Sequence, residues 1–377
     1  MNILIAPDSF KESLSALKVS QAIASGFKDI FPSVNCILLP VADGGEGTTD
    51  ALINSTGGKA RFTQVQDPLG NPINAQWGIL GNGKTAVIET AAASGLDLVP
   101  NELRNPLLTS SYGTGQLIMA ALEEGVEKII IGLGGSATND GGCGILRALG
   151  AVFTDQHGQP LPPGGGSLAN LADLDISNLD PRLYSVTFEV ACDVDNPLLG
   201  PEGASAVFGP QKGANPQQVA ELEQCLTNYS DILSRVCGVD IRSIPGSGAA
   251  GGIGAALSAL FKTELKSGIE IVLDAVEINK HLPTSQLVIT GEGKIDDQSL
   301  RGKTPIGVAK RAKTFGCPVI ALAGSVSQEQ EAIINSGIDA VFSVVSGVTS
   351  LEAALKEAEV NIQNCARNIA TLIKINQ

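Results

Sequence analysis

The sequence predicts an α/β protein: a discontinuous doubly wound parallel-sheet domain carrying a second, inserted mixed α/β domain. Three observations lead there. Apolar runs of strand type alternate with amphipathic helical stretches at both ends of the chain, the order that builds parallel sheets. Between the ends, alternating strands separated by tight-turn residues read as antiparallel meander. At 377 residues the chain is also longer than one ordinary core supports, so two domains are expected.

The elements follow in order. NILIA is a buried-strand run, and LSALKVSQAIASGF places Leu14, Leu17, Ala22 and Phe27 on one helical face, with Ser13 or Ser15 as cap. VNCILLPV is a second strand, and EGTTDALINST a helix stopped by Gly57-Gly58. ARFTQVQ, INAQWGIL and TAVIETA, joined by PLGNP and GNG turns, form the meander. A helix (GTGQLIMAALEEG), the strand KIII, a glycine loop, the strand SVTFEVACD and the long helix QQVAELEQCLTNYSDILSRV come next. GSGAAGGIGAALSALF opens a tightly packed helix. From Gln286 the βα alternation returns with LVITGEG, PVIALAG and DAVFSVV, and the chain closes on one long helix from Ser350, begun by the capping box TSLE. Five parallel-type strands thus sit at the two termini. The economical model is a flavodoxin-like domain from residues 1–66 plus 284–377, with 67–283 inserted.

Composition narrows the chemistry. Lys and Arg total 25 against 39 Asp and Glu, a net charge of −14, so nucleic acid and anionic membranes are not expected as partners. No run of apolar residues is long enough for a membrane span, and MNILIAPDSF lacks the basic start of a signal peptide. Seven cysteines without a CxxC pair suggest reduced thiols in a cytoplasmic protein. With two histidines, a zinc site or histidine triad is disfavoured, and proton transfer falls to carboxylates and lysines.

Two formal motifs fail on context. GILGNGKT matches a P-loop pattern, but the following TAVIETA reads as a strand rather than a helix, which makes GNG a hairpin turn. GSGAAG lies far from the opening βαβ unit and reads as close helix packing. Four other stretches place carboxylates, hydroxyls or lysines after strand-like runs: APDSFKES, PVADGGEGT, ACDVDNP and TGEGKIDDQSLRGKTP. Ends of parallel strands are where open α/β sheets bind ligands. Together with GLGGSATNDGG, a glycine loop between strand and helix, they describe a polar anion-binding cleft. The loop itself is either a cradle of backbone N–H groups or a tight structural turn.

These stretches, in this order, resemble the class I glycerate kinases; ETAAASGL, SYGTGQLI and GAAGGIGAAL strengthen the likeness, which runs from residue 6 to about 310. The resemblance implies transfer of the ATP γ-phosphate to D-glycerate with Mg²⁺, giving 2-phosphoglycerate, in a cleft between two α/β domains. It suggests Asp193 as the base on the substrate hydroxyl and Lys294 as a catalytic residue that neutralises phosphate or clamps the carboxylate. Ser9, Lys11, Asp43, Gly44, Gly45, Arg301 and Lys303 are expected at the substrate, and Gly134, Gly135, Ser136, Thr138 and Asn139 at the nucleotide phosphates. Glu46, Asp140 and Asp296 are the carboxylates expected at the metal. Phosphorylation of the 3-hydroxyl, an ATP-independent sugar-acid lyase or isomerase, and a metabolite-binding protein are the alternatives. Oligomeric state is open, with a homo-oligomer allowed.

Overall fold

The structure, a computed structural model, describes residues 1–242, 244–296, 299, 302–327 and 330–375, the side chain of Gln330 excepted. The chain divides into two compact units. Met1–Asp43, Asp50–Gly57 and Ile269–Gln377 form the first, and Gly44–Thr49 with Gly58–Gly268 the second.

The first unit is built on five parallel strands in the spatial order Asn35–Leu38, Asn2–Ile5, Leu287–Ile295, Val319–Val326, Ala340–Ser343. Numbered along the chain this is 2-1-3-4-5, the expected flavodoxin-like order. Side chains alternate across the sheet. Ile3, Ile5, Ile289 and Leu322 share a core with Val19, Ile23 and Phe27 of the helix Ala16–Ile30 and with Ile362, Ala366 and Ile369 of Ala358–Ile375. The helix Thr304–Lys313 packs on the central strands through buried Ile306 and Val308. Of the two expected caps Ser15 is the one used, its hydroxyl facing the Lys18 N–H at 3.5 Å, while Ser13 donates to the Leu355 carbonyl.

The helices Ala16–Ile30 and Ala358–Ile375 meet at Gly26, where a Cβ would stand 2.3 Å from the Gln363 carbonyl oxygen and 2.8 Å from the Ala366 Cβ. Gly26→Ala is therefore expected to destabilise the chain by about 1–3 kcal/mol through overpacking, read as a lower urea midpoint. The single long C-terminal helix is replaced by two, Leu351–Lys356 and Ala358–Ile375, with Glu357 between them at φ −97° and ψ 8°. The cap is Ser350, whose Oγ accepts from the Ala353 N–H at 3.2 Å. The register is one residue later than TSLE, so Glu352 falls in the first turn, where it suits the helix dipole but closes no capping box.

The second unit carries a six-stranded mixed sheet in the order Thr263–Lys266, Thr187–Ala191, Lys128–Gly132, Thr85–Glu89, Pro72–Ile79, Lys59–Gln66. The first four of these strands run parallel, and the last two join antiparallel. Gly81–Gly83 is the expected hairpin turn, with Gly83 at φ +67°. Lys84 pairs with Glu127 on the surface rather than heading a helix. Thr263–Lys266 was not marked by any sequence signal; four residues of TELK are too short to establish a period. The long helix Pro216–Cys237 has its ends written into the sequence. Asn215 and Gln218 cap each other reciprocally at 2.9 Å, proline opens the first turn, and Gly238 closes it in the left-handed region. Among the described residues no helix is long and apolar enough to cross a membrane.

Candidate active site

In the second unit the C-terminal ends of the parallel strands Thr85–Glu89, Lys128–Gly132 and Thr187–Ala191 converge on the segment Gly44–Thr49. A Cβ at Gly132 would stand 2.6 Å from the Gly44 carbonyl oxygen, and one at Gly44 would stand 2.6 Å from the Ala191 Cβ. Gly134 faces the Gly45 Cα in the same way at 3.4 Å. The glycines are thus required for backbone to pass against backbone, and Gly44 also sits at φ +90°. Glu89 fixes the far end of this segment, accepting from the Thr49 N–H at 2.7 Å. Asp193 stands just past the third strand, exposed, with Oδ1 accepting from the Gly268 N–H at 3.0 Å. Gly44, Gly45, Gly134 and Asp193 are therefore gathered at one end of one sheet. Glu46 is exposed beside them.

The glycine loop has two different halves. Gly134 and Gly135 form an exposed tip, whereas Ser136, Thr138, Asn139 and Asp140 are buried, the last three at 1% exposure or less. Asp140 lies two residues before Gly142, the N-cap of the helix Cys143–Ala148, and binds that helix start from outside. Its carboxylate accepts from the N–H groups of Ser111, Gly142 and Gly144 and from the Ser111 hydroxyl, at 2.9–3.2 Å. Ser111 Oγ in turn accepts from the Ile145 N–H. A carboxylate of the protein thus stands at the helix start where an anion was expected. Three of these bonds fall on Oδ2 of Asp140 and one on Oδ1, and Thr138 and Asn139 are fully buried beside it. What stays open is the Gly134–Gly135 tip.

Beneath the loop lies a residue that the sequence reading missed. Lys212, 2% exposed, donates from Nζ to Ser136 Oγ at 3.0 Å and to the Thr138 carbonyl at 2.7 Å. Burial pulls its ammonium down to about 7 against the opposing field of Asp140. Its one sequence signal is isolation, since it is the only lysine between Lys128 and Lys262. The pH consequence has a definite sign. Between about 7 and 10.5 the folded chain has released a proton that the unfolded chain still holds, so Lys212 makes stability climb with pH across that window. Lys212→Met is expected to flatten that climb, measured as urea midpoints at pH 7 and 9.5.

In the first unit the segment Asp8–Lys11 lies beside the strand Leu287–Ile295. A Cβ at Gly293 would touch the Lys11 nitrogen and the Phe10 Cα at 3.5 Å. Asp8 accepts from the Ser9 N–H at 2.6 Å and from the Thr304 hydroxyl at 2.6 Å. Burial, reinforced by the charge of Asp43 and opposed by these bonds, pushes its carboxyl up to about 6. Glu292 is pushed up to about 7, by burial first and then by Asp8 and Asp43, while Ser299 and Lys303 pull it back. One oxygen of Glu292 accepts a short bond from Ser299 Oγ. Ser9, Lys11, Asp43 and Lys303, all expected at the substrate, are thus grouped with Asp8, Glu292 and Thr304, which were not singled out. Lys303 precedes Thr304 at the start of the ten-residue helix Thr304–Lys313, whose positive end favours an anion.

Lys294 stands apart from that group. Its side chain is 66% exposed and pairs with Asp296 at 3.0 Å. Arg301 lies outside the described residues. Among the described residues no three His, Cys, Asp or Glu side chains converge as a metal centre. Mg²⁺ commonly takes one or two carboxylates and fills the rest of its shell with phosphate and water. Of the three carboxylates expected at a metal, Asp140 is buried and hydrogen-bonded, Asp296 pairs with Lys294, and Glu46 is exposed.

Comparison with known proteins bears on this arrangement directly. A model of the glycerate kinase family matches residues 3–374. The chain is 54% identical to the glycerate 2-kinase of Escherichia coli K12 over 375 residues, covering all of this chain and 98% of that protein. It is 52% identical to the glycerate kinase of Bacillus subtilis 168, again over 100% and 98%. A crystal structure from Salmonella typhimurium LT2, described provisionally as glycerate kinase 2, superposes with a TM-score of 0.93 at 52% identity, covering 100% of this chain and 99% of that one. A match that runs through every element of both units is membership, and the chain belongs to the glycerate kinase family.

Proposed function

We propose that this protein transfers the γ-phosphoryl group of ATP to the 2-hydroxyl of D-glycerate, forming 2-phosphoglycerate and ADP. The observation that carries the reading is full-length identity of 54% to a glycerate 2-kinase. The first unit supplies suitable chemistry. Phosphoryl transfer needs an oriented hydroxyl and a group to take its proton. Glu292 fits: Ser299 fixes one oxygen, and its carboxyl, at about 7, is poised to accept a proton near neutral pH. Asp193 is exposed and engaged with Gly268, so we place the base at Glu292 and leave Asp193 an orienting role at the strand end.

Ser9, Lys11, Lys303 and the start of the helix Thr304–Lys313 would bind the glycerate carboxylate, with Asp8 holding Ser9 and Thr304 in place. Asp43 would keep the carboxyl of Glu292 high. The backbone of Gly44, Gly45, Gly134 and Gly135 is assigned to the nucleotide phosphates, with Ser136, Thr138, Asn139 and Lys212 supporting the tip from below. Mg²⁺, held by Glu46, would offset phosphate charge. Lys294 and Arg301 are assigned to the phosphates as counter-charges. Phosphorus NMR of the product from ATP, Mg²⁺ and D-glycerate tests the reading. A 2-phosphoglycerate resonance is expected; 3-phosphoglycerate would overturn the regiochemistry, and unconsumed ATP would overturn the kinase reading.

A further inference from the structure

A separate feature of the second unit has no part in that chemistry. A cavity of about 260 Å³ opens between the turn after the strand Lys59–Gln66, the segment before the helix Tyr112–Glu123, and the helix Cys143–Ala148. Its polar lining is Gln66, Ser110, Tyr112 and Arg147, and Leu69 and Leu108 contribute apolar wall. Arg147 lies with its guanidinium 5.4 Å from the centre of the Phe153 ring. Its Nη2 is buried and has no hydrogen-bond partner, and no described carboxylate stands within ion-pair distance of it. That is unusual in a chain with 39 acidic residues and a net charge of −14. An unpaired buried guanidinium nitrogen is costly, and an oxyanion is the group it recognises best.

We propose that this cavity is a second anion site, an effector site for a small metabolite carrying a carboxylate or phosphate on a short apolar body. The volume lies just under the roughly 300 Å³ at which pockets begin to admit drug-sized ligands, which sets the ligand at metabolite scale. The route to the glycine loop is short. Ser110 and Tyr112 line the cavity, and Ser111 between them is held to Asp140, which also accepts from the first-turn Gly144 N–H of the helix on which Arg147 stands. An anion drawing in Arg147 and the Ser110–Tyr112 segment therefore acts on both ends of the contact that closes the loop. The effector role rests on the kinase reading; the binding site does not.

The test is calorimetric titration with methyl phosphate and, separately, with butyrate, on protein saturated with D-glycerate and a non-hydrolysable ATP analogue. One of the two probes is expected to bind once per chain, at least tenfold more weakly to Arg147→Met and with the other probe distinguishing phosphate from carboxylate preference. Should Arg147→Met fail to fold, Arg147→Lys keeps the charge, loses the planar fork and is expected to show the same weakening. In steady-state assays the bound probe is expected to shift KM for ATP about fivefold or more in the wild type and not in the variant. No binding of either probe, or equal binding to wild type and variant, overturns the site; binding without a change in KM overturns its effector role. Turnover of D-glycerate without probe is measured alongside, so failure of the kinase reading is seen on its own.

Discussion

Glu292→Gln is expected to lower kcat for ATP-dependent phosphorylation of D-glycerate by roughly 10²- to 10⁴-fold, the range for loss of a general base, with a smaller change in KM for glycerate. The side chain keeps its shape and its bond to Ser299 but can no longer take a proton. In the wild type the base must be ionised, so kcat rises with pH to a plateau above about 7. Because Asp8 and Glu292 feel each other's charge, the inflection belongs to the pair. The variant's residual rate is expected to lack it.

Stability should move in the opposite direction. The folded chain keeps a proton on Glu292 up to about 7, whereas the unfolded chain gives it up near 4.5. Stability therefore falls as pH rises through that window, and above it the ionised, half-buried Glu292 destabilises fully. Glutamine carries no such cost, so Glu292→Gln should have the higher urea midpoint at pH 8 and little advantage at pH 4.5. Loss of activity with gain of stability marks a residue strained for function. Normal turnover, or a midpoint unchanged at both pH values, would remove Glu292 from the base position.

The strand ends of the first unit were legible because the signal is local. An apolar run that stops at polar, small residues marks both a strand and its exit loop, and so Ser9, Asp43 and Lys303 could be named. Glu292 and Asp8 were in the same quoted stretches yet were not distinguished from them. What sets them apart is burial beside another carboxylate 284 positions away, a property of tertiary proximity that no periodicity carries. The glycine loop shows the converse. Its composition was conspicuous, but glycine is demanded equally by an anion and by a neighbouring backbone, and the carbonyl of Gly44 against Gly132 lies 88 positions away in sequence. Lys212 sits in a turn between proline and glycine, where hydropathy has nothing to report. The C-terminal helix was missed at its break because Glu357 lies in a run without glycine or proline, and nothing in the local pattern marks an interruption there.

Asp140→Ala is expected to produce the largest loss of stability of any change considered. It leaves the N–H groups of Ser111, Gly142 and Gly144 without their acceptor in a site where Asp140 itself is 1% exposed. Each stranded buried donor costs about 1–3 kcal/mol, so the total is about 3 kcal/mol or more, a large part of an ordinary domain's stability. Lys212 would also lose the one carboxylate whose field supports its charge. Asp140→Asn separates this structural role from a metal role. The amide keeps one acceptor oxygen but turns donors toward donors, so stability falls by less than in the alanine variant. A metal ligand replaced by asparagine would raise the Mg²⁺ concentration needed for half-maximal rate. Asp140→Asn is expected to leave that concentration within about twofold of wild type while its urea midpoint drops. A raised Mg²⁺ requirement with an unchanged midpoint would return Asp140 to the metal and reopen the helix start to an anion.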